Sequence, residues 1–272
     1  MNESMHEPIQ GPVQEPASGP IHTPAGAQVD QPADATIGEP TVPMALAATP
    51  HAETELLRPL AIAWYGKLPW RGDFVGRGLP AIWQRTWDEW LQRAIADAGR
   101  RLGPDDWRSA FAAMPPWHAV LLPERDGEPW RSAVVASSLD RVGRAFPIVV
   151  VETYDDSRLS GVALSALRGR GTALARWLAD TPRSCASMKD FERAAAQWLA
   201  EGWDGASDQL EDIGISVSAL RELWPQARSF WWPAHVEAYA PPRAESWPPS
   251  EALLLEWIAV TDDRRGERRT AE

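Results

Sequence analysis

All sixteen tryptophans of this chain lie between Trp64 and Trp257, and that placement decides which part of it can fold. Residues 1–58 contain no Trp, Phe or Tyr. They hold nine prolines, eight acidic residues and a single basic one, Arg58. Pro8, Pro12, Pro16, Pro20 and Pro24 recur at every fourth position, and Pro32 and Pro40 keep the phase. Such a segment cannot bury enough apolar surface to offset its chain entropy. Residues 1–58 are therefore expected to form a disordered, Pro-rich acidic arm, and no basic-flanked PxxP ligand stands out in it. The rest of the 272 residues is long enough to bury roughly 70% of its unfolded surface without disulfides or metal.

Most of the net charge of −11 comes from the arm. That balance argues against nucleic acid or an anionic membrane as the main partner, because phosphate binding needs a basic surface. With Cys185 the lone cysteine, no intrachain disulfide can form, which fits a reducing compartment. No run approaches the roughly 20 apolar residues of a membrane-spanning helix, and the N-terminus lacks the basic start and apolar core of a signal peptide. A cytoplasmic protein with no direct membrane insertion is expected.

From residue 59 to 261 strand and helix signals alternate in one domain, followed by a charged tail over 262–272. Leu60–Tyr65 reads as a first strand, then a Gly/Pro-rich loop runs from Gly66 to Gly78, its glycines supplying positive φ. Pro80 opens a helix carrying Trp83, Trp87, Trp90, Leu91 and Ile95 on one face, with Gly99 as its stop. Pro104 suits the first turn of a second helix, with Asp105 and Asp106 near its positive end. Trp117–Leu122, Arg131–Ala136 and Phe146–Thr153 read as strands; the last lacks alternation and so predicts a buried central strand. Helical pattern returns over Leu159–Leu167 and again over Leu174–Leu178. Ser187 caps a helix bearing Phe191 and Trp198. Ser229–Trp232 reads as a late strand, and Ser250 caps a final helix with Leu253, Leu254, Trp257 and Ile258. The order predicts a layered α/β sandwich around a mixed central sheet of four to six strands.

Three ordered blocks carry a further signal. Trp64-Tyr65-Gly66-Lys67-Leu68-Pro69-Trp70-Arg71-Gly72-Asp73-Phe74 leads to Leu79-Pro80 and Trp87-Asp88-Glu89-Trp90-Leu91. Ser137-Ser138-Leu139-Asp140-Arg141-Val142-Gly143-Arg144-Ala145-Phe146-Pro147 forms the next block, and Ser229-Phe230-Trp231-Trp232 the last. These blocks resemble the WYGKLPxRGDF, WDxWL, PSVDRVGRxFPL and SxWW patterns of the TagF family of type VI secretion-associated proteins. Leu139 stands where Val is usual and Ser137 replaces a proline. The similarity runs from about Ala61 to Ile258, and the arm has no counterpart in the pattern. The resemblance implies a single-domain three-layer αβα sandwich and a post-translational negative regulator of type VI secretion. It implies association with the forkhead-associated scaffold protein of the apparatus. Some family members are fused to a PP2C-type phosphatase; no such second domain is expected within these 272 residues.

Lys67, Arg71, Asp73, Asp140, Arg141 and Arg144 are the charged candidates in the first two blocks. Two readings apply to them: an ion-pair lattice pinning loops onto the sheet, or a contact surface for a partner. Trp83, Trp87 and Trp90 read as core. Trp70, Trp130, Trp247 and Trp231 or Trp232 sit near loops or strand ends, where a Trp-rich carbohydrate-binding module would keep stacking platforms. Gly76-Arg77-Gly78 is a faint echo of a dinucleotide loop whose third glycine is replaced by Ala81. His6, His22, His51, His118 and His235 are far apart. No HExxH, CxxC, P-loop or GxSxG occurs, Cys185 has no nearby His, and Asp155-Asp156 and Asp262-Asp263 lie beside turns or in the tail. No catalytic residue, cofactor or metal is expected. The rival to a binding protein is a hydrolase acting on a phosphorylated or acylated substrate through residues distant in sequence.

Overall fold

A computed structural model describes residues 57–125, 127–155, 162–201, 203, 215–234 and 241–259. The proposed disordered arm, apart from Leu57 and Arg58, and the charged tail lie outside them. Leu57 is fully buried among Val120, Leu122 and Phe230, so this residue, assigned to the arm, belongs to the core, while Arg58 is exposed.

The strands are β1 (Ala61–Gly66), β2 (Val75–Arg77), β3 (Trp117–Leu121), β4 (Trp130–Ala136), β5 (Ile148–Tyr154), β6 (Ser229–Pro233) and β7 (Arg243–Glu245). They form one seven-stranded sheet in the order β2-β1-β5-β4-β3-β6-β7. Every pairing is antiparallel, which corrects the expected mixed sheet of four to six strands. The links β3–β4 and β4–β5 are too short for a crossover and can only turn the chain back on itself. The two extra strands, β2 and β7, are three residues each and too short to show a period; β2 lies inside the segment read as a loop. The unalternating strand β5 is interior, flanked by β1 and β4, as its composition predicted.

The helices are α1 (Ala81–Leu102), α2 (Pro104–Ala113), α3 (Leu164–Ser184), α4 (Met188–Glu201) and α5 (Ala219–Leu223), with a closing helix α6 over 252–259. Helix α1 continues past Gly99 and stops at Gly103, whose φ of 83° takes the left-handed region that glycine tolerates. Helix α3 is continuous where two helices were expected. Gly169 and Gly171 lie between the two expected segments, and a Cβ on Gly171 would lie 2.4 Å from the ring of His118. The missing side chain lets α3 approach β3, and packing outweighs the propensity penalty of mid-helix glycine.

Successive strand side chains point to opposite sides, which sorts the core into separate clusters. Ala119, Val135, Val149, Val151 and Trp231 pack with Trp87, Trp90 and Phe111 from α1 and α2 and with Leu253 and Trp257 from α6. Val134, Ile148 and Val150 pack instead with Leu174, Leu178 and Phe191 from α3 and α4. Val120, Phe230 and Trp232 meet Leu167 and Leu220 from α3 and α5. The helical spacing of Trp83, Trp87 and Trp90 feeds a continuous chain of ring contacts. Trp83 stacks on Trp247 at 5.2 Å, Trp247 meets Trp87 at 4.9 Å, and Trp90, Trp231, Trp257 and Trp117 follow. Such offset and edge contacts add about 0.5–1.5 kcal/mol per pair beyond area burial.

Candidate functional site

The first two sequence blocks meet in space at one end of β1 and β5. Gly66 ends β1 with φ 139°, and a Cβ there would lie 2.0 Å from the carbonyl oxygen of Pro147. This close approach explains the glycine; Gly72 and Gly76 do not adopt positive φ, contrary to the expectation for the whole loop. Next to it, Lys67 is buried and its Nζ donates to Asp140 Oδ2 at 2.9 Å. Asp140 also accepts from Arg144 Nε at 2.7 Å and from the backbone N–H groups of Val142 and Arg144 at 3.0 and 2.8 Å. Burial alone would raise the Asp140 carboxyl. The bonds from the Arg144 amide, Lys67, the Arg144 guanidinium and the Val142 amide outweigh it and hold the group well below the usual carboxylate range. Ser138 Oγ donates to the Lys67 carbonyl at 2.8 Å, the Arg141 amide donates to the Arg71 carbonyl at 2.9 Å, and Arg144 also donates to the Gly72 carbonyl.

The six candidates therefore divide. Lys67 and Asp140 are buried and form the lattice, and Arg144 closes it with an exposed side chain. Arg71, Asp73 and Arg141 are exposed, and their side chains make no hydrogen bond or ion pair among the described residues. Beside the lattice opens a cleft of about 420 Å³, lined by Pro69, Phe111, Met114, Ser137, Leu139, Leu178 and Arg183 among others. Leu139 is 45% exposed and Val142 65% exposed, both in the second block.

A family model for the TagF N-terminal domain, type VI secretion system-associated, matches residues 63–198, half of the chain. The chain belongs to the TagF family. The matched span contains the Lys67–Asp140 lattice and the lining residues of the cleft. The crystal structure of PA0076 from Pseudomonas aeruginosa PAO1, at 2.05 Å resolution, is similar with 27% identity and a TM-score of 0.46. It covers 68% of this chain and 85% of that one. A comparison with curated proteins gave no match.

This TagF-family chain also holds a buried polar group that sequence reasoning missed. Arg170 of α3 donates from Nη2 and Nε to Glu152 of β5 at 2.5 and 2.9 Å, and from Nε to Tyr154 Oη at 2.8 Å. Tyr154 donates to Glu152 at 2.6 Å, and the Trp198 indole of α4 donates to it at 2.7 Å. Burial opposes the charge on Arg170, but Glu152 and Tyr154 raise its pKa further. The same carboxylate, with burial, raises the Tyr154 phenol. Only the interruption of an apolar strand by Glu152 could have signalled this network. Nearby, buried His118 shares a 2.8 Å hydrogen bond with Ser132 Oγ, and burial together with the Arg168 charge lowers its pKa to about 3.

All sixteen tryptophans are described and none is exposed; Trp130, Trp231 and Trp232 are buried outright, and Trp70 and Trp247 are half-buried. Trp70 donates its indole N–H to the Pro182 carbonyl at 3.0 Å, and Trp247 packs on Trp83. His118 is the one histidine among the described residues. Among those residues no group of three His, Cys, Asp or Glu is placed to hold a metal ion, and no helix is long and apolar enough to cross a membrane.

Proposed function

We propose that this chain is a cytoplasmic, non-enzymatic accessory protein that restrains type VI secretion by binding the forkhead-associated scaffold protein of the apparatus. Membership of a type VI secretion-associated family supports the setting. The observation that carries the binding role is the division of the motif charges. Lys67 and Asp140 hold two distant loops together, and this leaves Arg71, Arg141 and the apolar tips of Leu139 and Val142 exposed on one rigid platform. Arginine beside exposed apolar side chains is the composition of an interface anchor. The helices contacting alternate sides of the sheet support a three-layer αβα sandwich as the scaffold for that platform.

Two measurements test the reading. Deleting the gene should raise secretion of the tube protein and overexpression should lower it; unchanged secretion in both strains rejects repression. The purified chain should bind the purified scaffold protein in a titration calorimeter, and no heat of binding rejects the partner.

A further inference from the structure

The cleft beside the Lys67–Asp140 lattice is larger than the lattice needs, and its charge is one-sided. Of its lining residues only Asp140 and Arg183 carry charge, and Asp140 is already occupied by Lys67, Arg144 and two backbone N–H groups. Arg183, at the end of α3, is exposed and its guanidinium makes no ion pair among the described residues. Arg141 directly follows lining residues Leu139 and Asp140, and its amide is fastened to the carbonyl of Arg71, two positions after lining residue Pro69. One exposed guanidinium, that of Arg183, thus lines the cleft, and the exposed Arg141 and Arg71 adjoin its lining segments in the chain; none of the three has an ion-pair partner among the described residues. The exposed carboxylates closest to them in sequence are Asp73 and Asp180. Inside, Phe111, Met114, Ile148 and Leu178 present an apolar floor, and Leu139 stands at the rim.

From this arrangement we infer that the cleft receives an acidic segment of the partner protein, one apolar side chain entering against Phe111, Met114 and Leu178 while flanking carboxylates meet Arg183, Arg141 and Arg71. Planar guanidiniums pair carboxylates with two parallel hydrogen bonds, which a lysine cannot do. A volume of about 420 Å³ accommodates a side chain or two rather than a folded surface, so the occupant is an extended segment. This inference rests on the proposed binding of the forkhead-associated scaffold protein and adds the place and chemistry of contact.

The test uses the full chain and the purified scaffold protein. Arg183→Glu and Leu139→Asp are made separately. Both positions are exposed, so the melting temperature of each variant is expected to match the parent. Each should weaken binding by roughly tenfold or more, as central interface residues do, and binding by the parent should weaken as salt is raised. Failure of the parent chain to bind overturns the functional reading and the inference with it. Parent binding that survives both substitutions, or that ignores salt, overturns the inference alone. Self-association of the chain that both substitutions abolish would assign the cleft to a second copy and overturn it as well.

Discussion

The ammonium of Lys67 lies 2.9 Å from a carboxylate oxygen of Asp140, across 73 residues of sequence, with both side chains buried. This contact fastens the loop after β1 to the loop before β5. Lys67→Met would leave Asp140 buried with one cationic partner fewer, and breaking a buried pair is worse than replacing both members. The expected result is a melting temperature lower by roughly 5–10 °C, partly restored in Lys67→Met/Asp140→Asn. Thermal melts by circular dichroism of the two variants check it. A single variant as stable as the parent would show that the platform does not depend on the pair.

Arg71→Ala separates lattice from surface. The Arg71 side chain is exposed and has no partner among the described residues, while its carbonyl, which the substitution keeps, accepts from Arg141. Surface changes of this kind stay within about 0.5 kcal/mol. The variant should melt with the parent, and, under the proposed function, lose affinity for the scaffold protein. Melting and binding measured on one preparation decide between the roles: destabilisation would place Arg71 in the lattice after all.

Much of the fold was legible because it follows from local rules. The period of Trp83, Trp87 and Trp90 gave the buried face of α1, and the unalternating Val149-Val150-Val151 gave an interior strand. The two readings left open for the six charges fall on different members: Lys67, Asp140 and Arg144 form an ion-pair lattice, and Arg71, Asp73 and Arg141 are exposed. Lysine at position 67 sits next to the glycine that turns the chain inward, so it is carried under the loop, whereas Arg71 and Asp73 fall on the outer side. Nothing in the spacing of either block distinguishes these outcomes. The continuity of α3 across Gly171 is hidden for a similar reason: only the three-dimensional neighbour of Gly171, the ring of His118, explains the glycine. Glu152 and Arg170 find each other through the sheet register and a helix that returns over it, which sequence distance hides.

The Glu152–Arg170 pair gives the sharpest energetic prediction. Both side chains are almost wholly enclosed, with exposures of 0% and 2%. Removing one partner of such a pair costs about 3–5 kcal/mol, so Arg170→Met should lower the melting temperature by roughly 6–20 °C. Glu152→Leu/Arg170→Met should recover a large part of that loss, because a well-packed apolar pair avoids desolvation altogether. A double variant as unstable as the sum of the singles would mean that Tyr154 and Trp198, left without their acceptor, dominate.

Leu57 sets where the arm can be cut. It is fully buried, with Trp130 and Trp232 in the same cluster. Removing residues 1–55 should leave the melting temperature unchanged, as expected for a segment whose composition supplies no core. Leu57→Ala should instead cost about 2–5 kcal/mol, the range for truncating a buried leucine. Equal melts for the parent and Leu57→Ala would remove residue 57 from the core.

His118 predicts how stability depends on pH. Its folded pKa is lowered to about 3 by burial and by the Arg168 charge, against about 6.5 in an unfolded chain. Between those values the unfolded state binds the proton and the folded state does not, so stability rises with pH. The contribution is complete above pH 6.5 or so and is lost as pH falls, amounting to about 2 kcal/mol by pH 5. Asp140 acts in the same direction but later. Its carboxyl is held below the usual range, so its contribution is lost only as pH falls under about 3.9, the ordinary aspartate value. A melt series from pH 7 to pH 5 therefore isolates the histidine. His118→Gln keeps a polar group facing Ser132 and removes the titration. The parent should lose stability over this interval while the variant stays nearly level, whatever its stability at pH 7. Parallel curves would show that His118 takes up its proton in the folded state, and that the contact with α3 at Gly171 is looser than a 2.4 Å approach to an added Cβ allows.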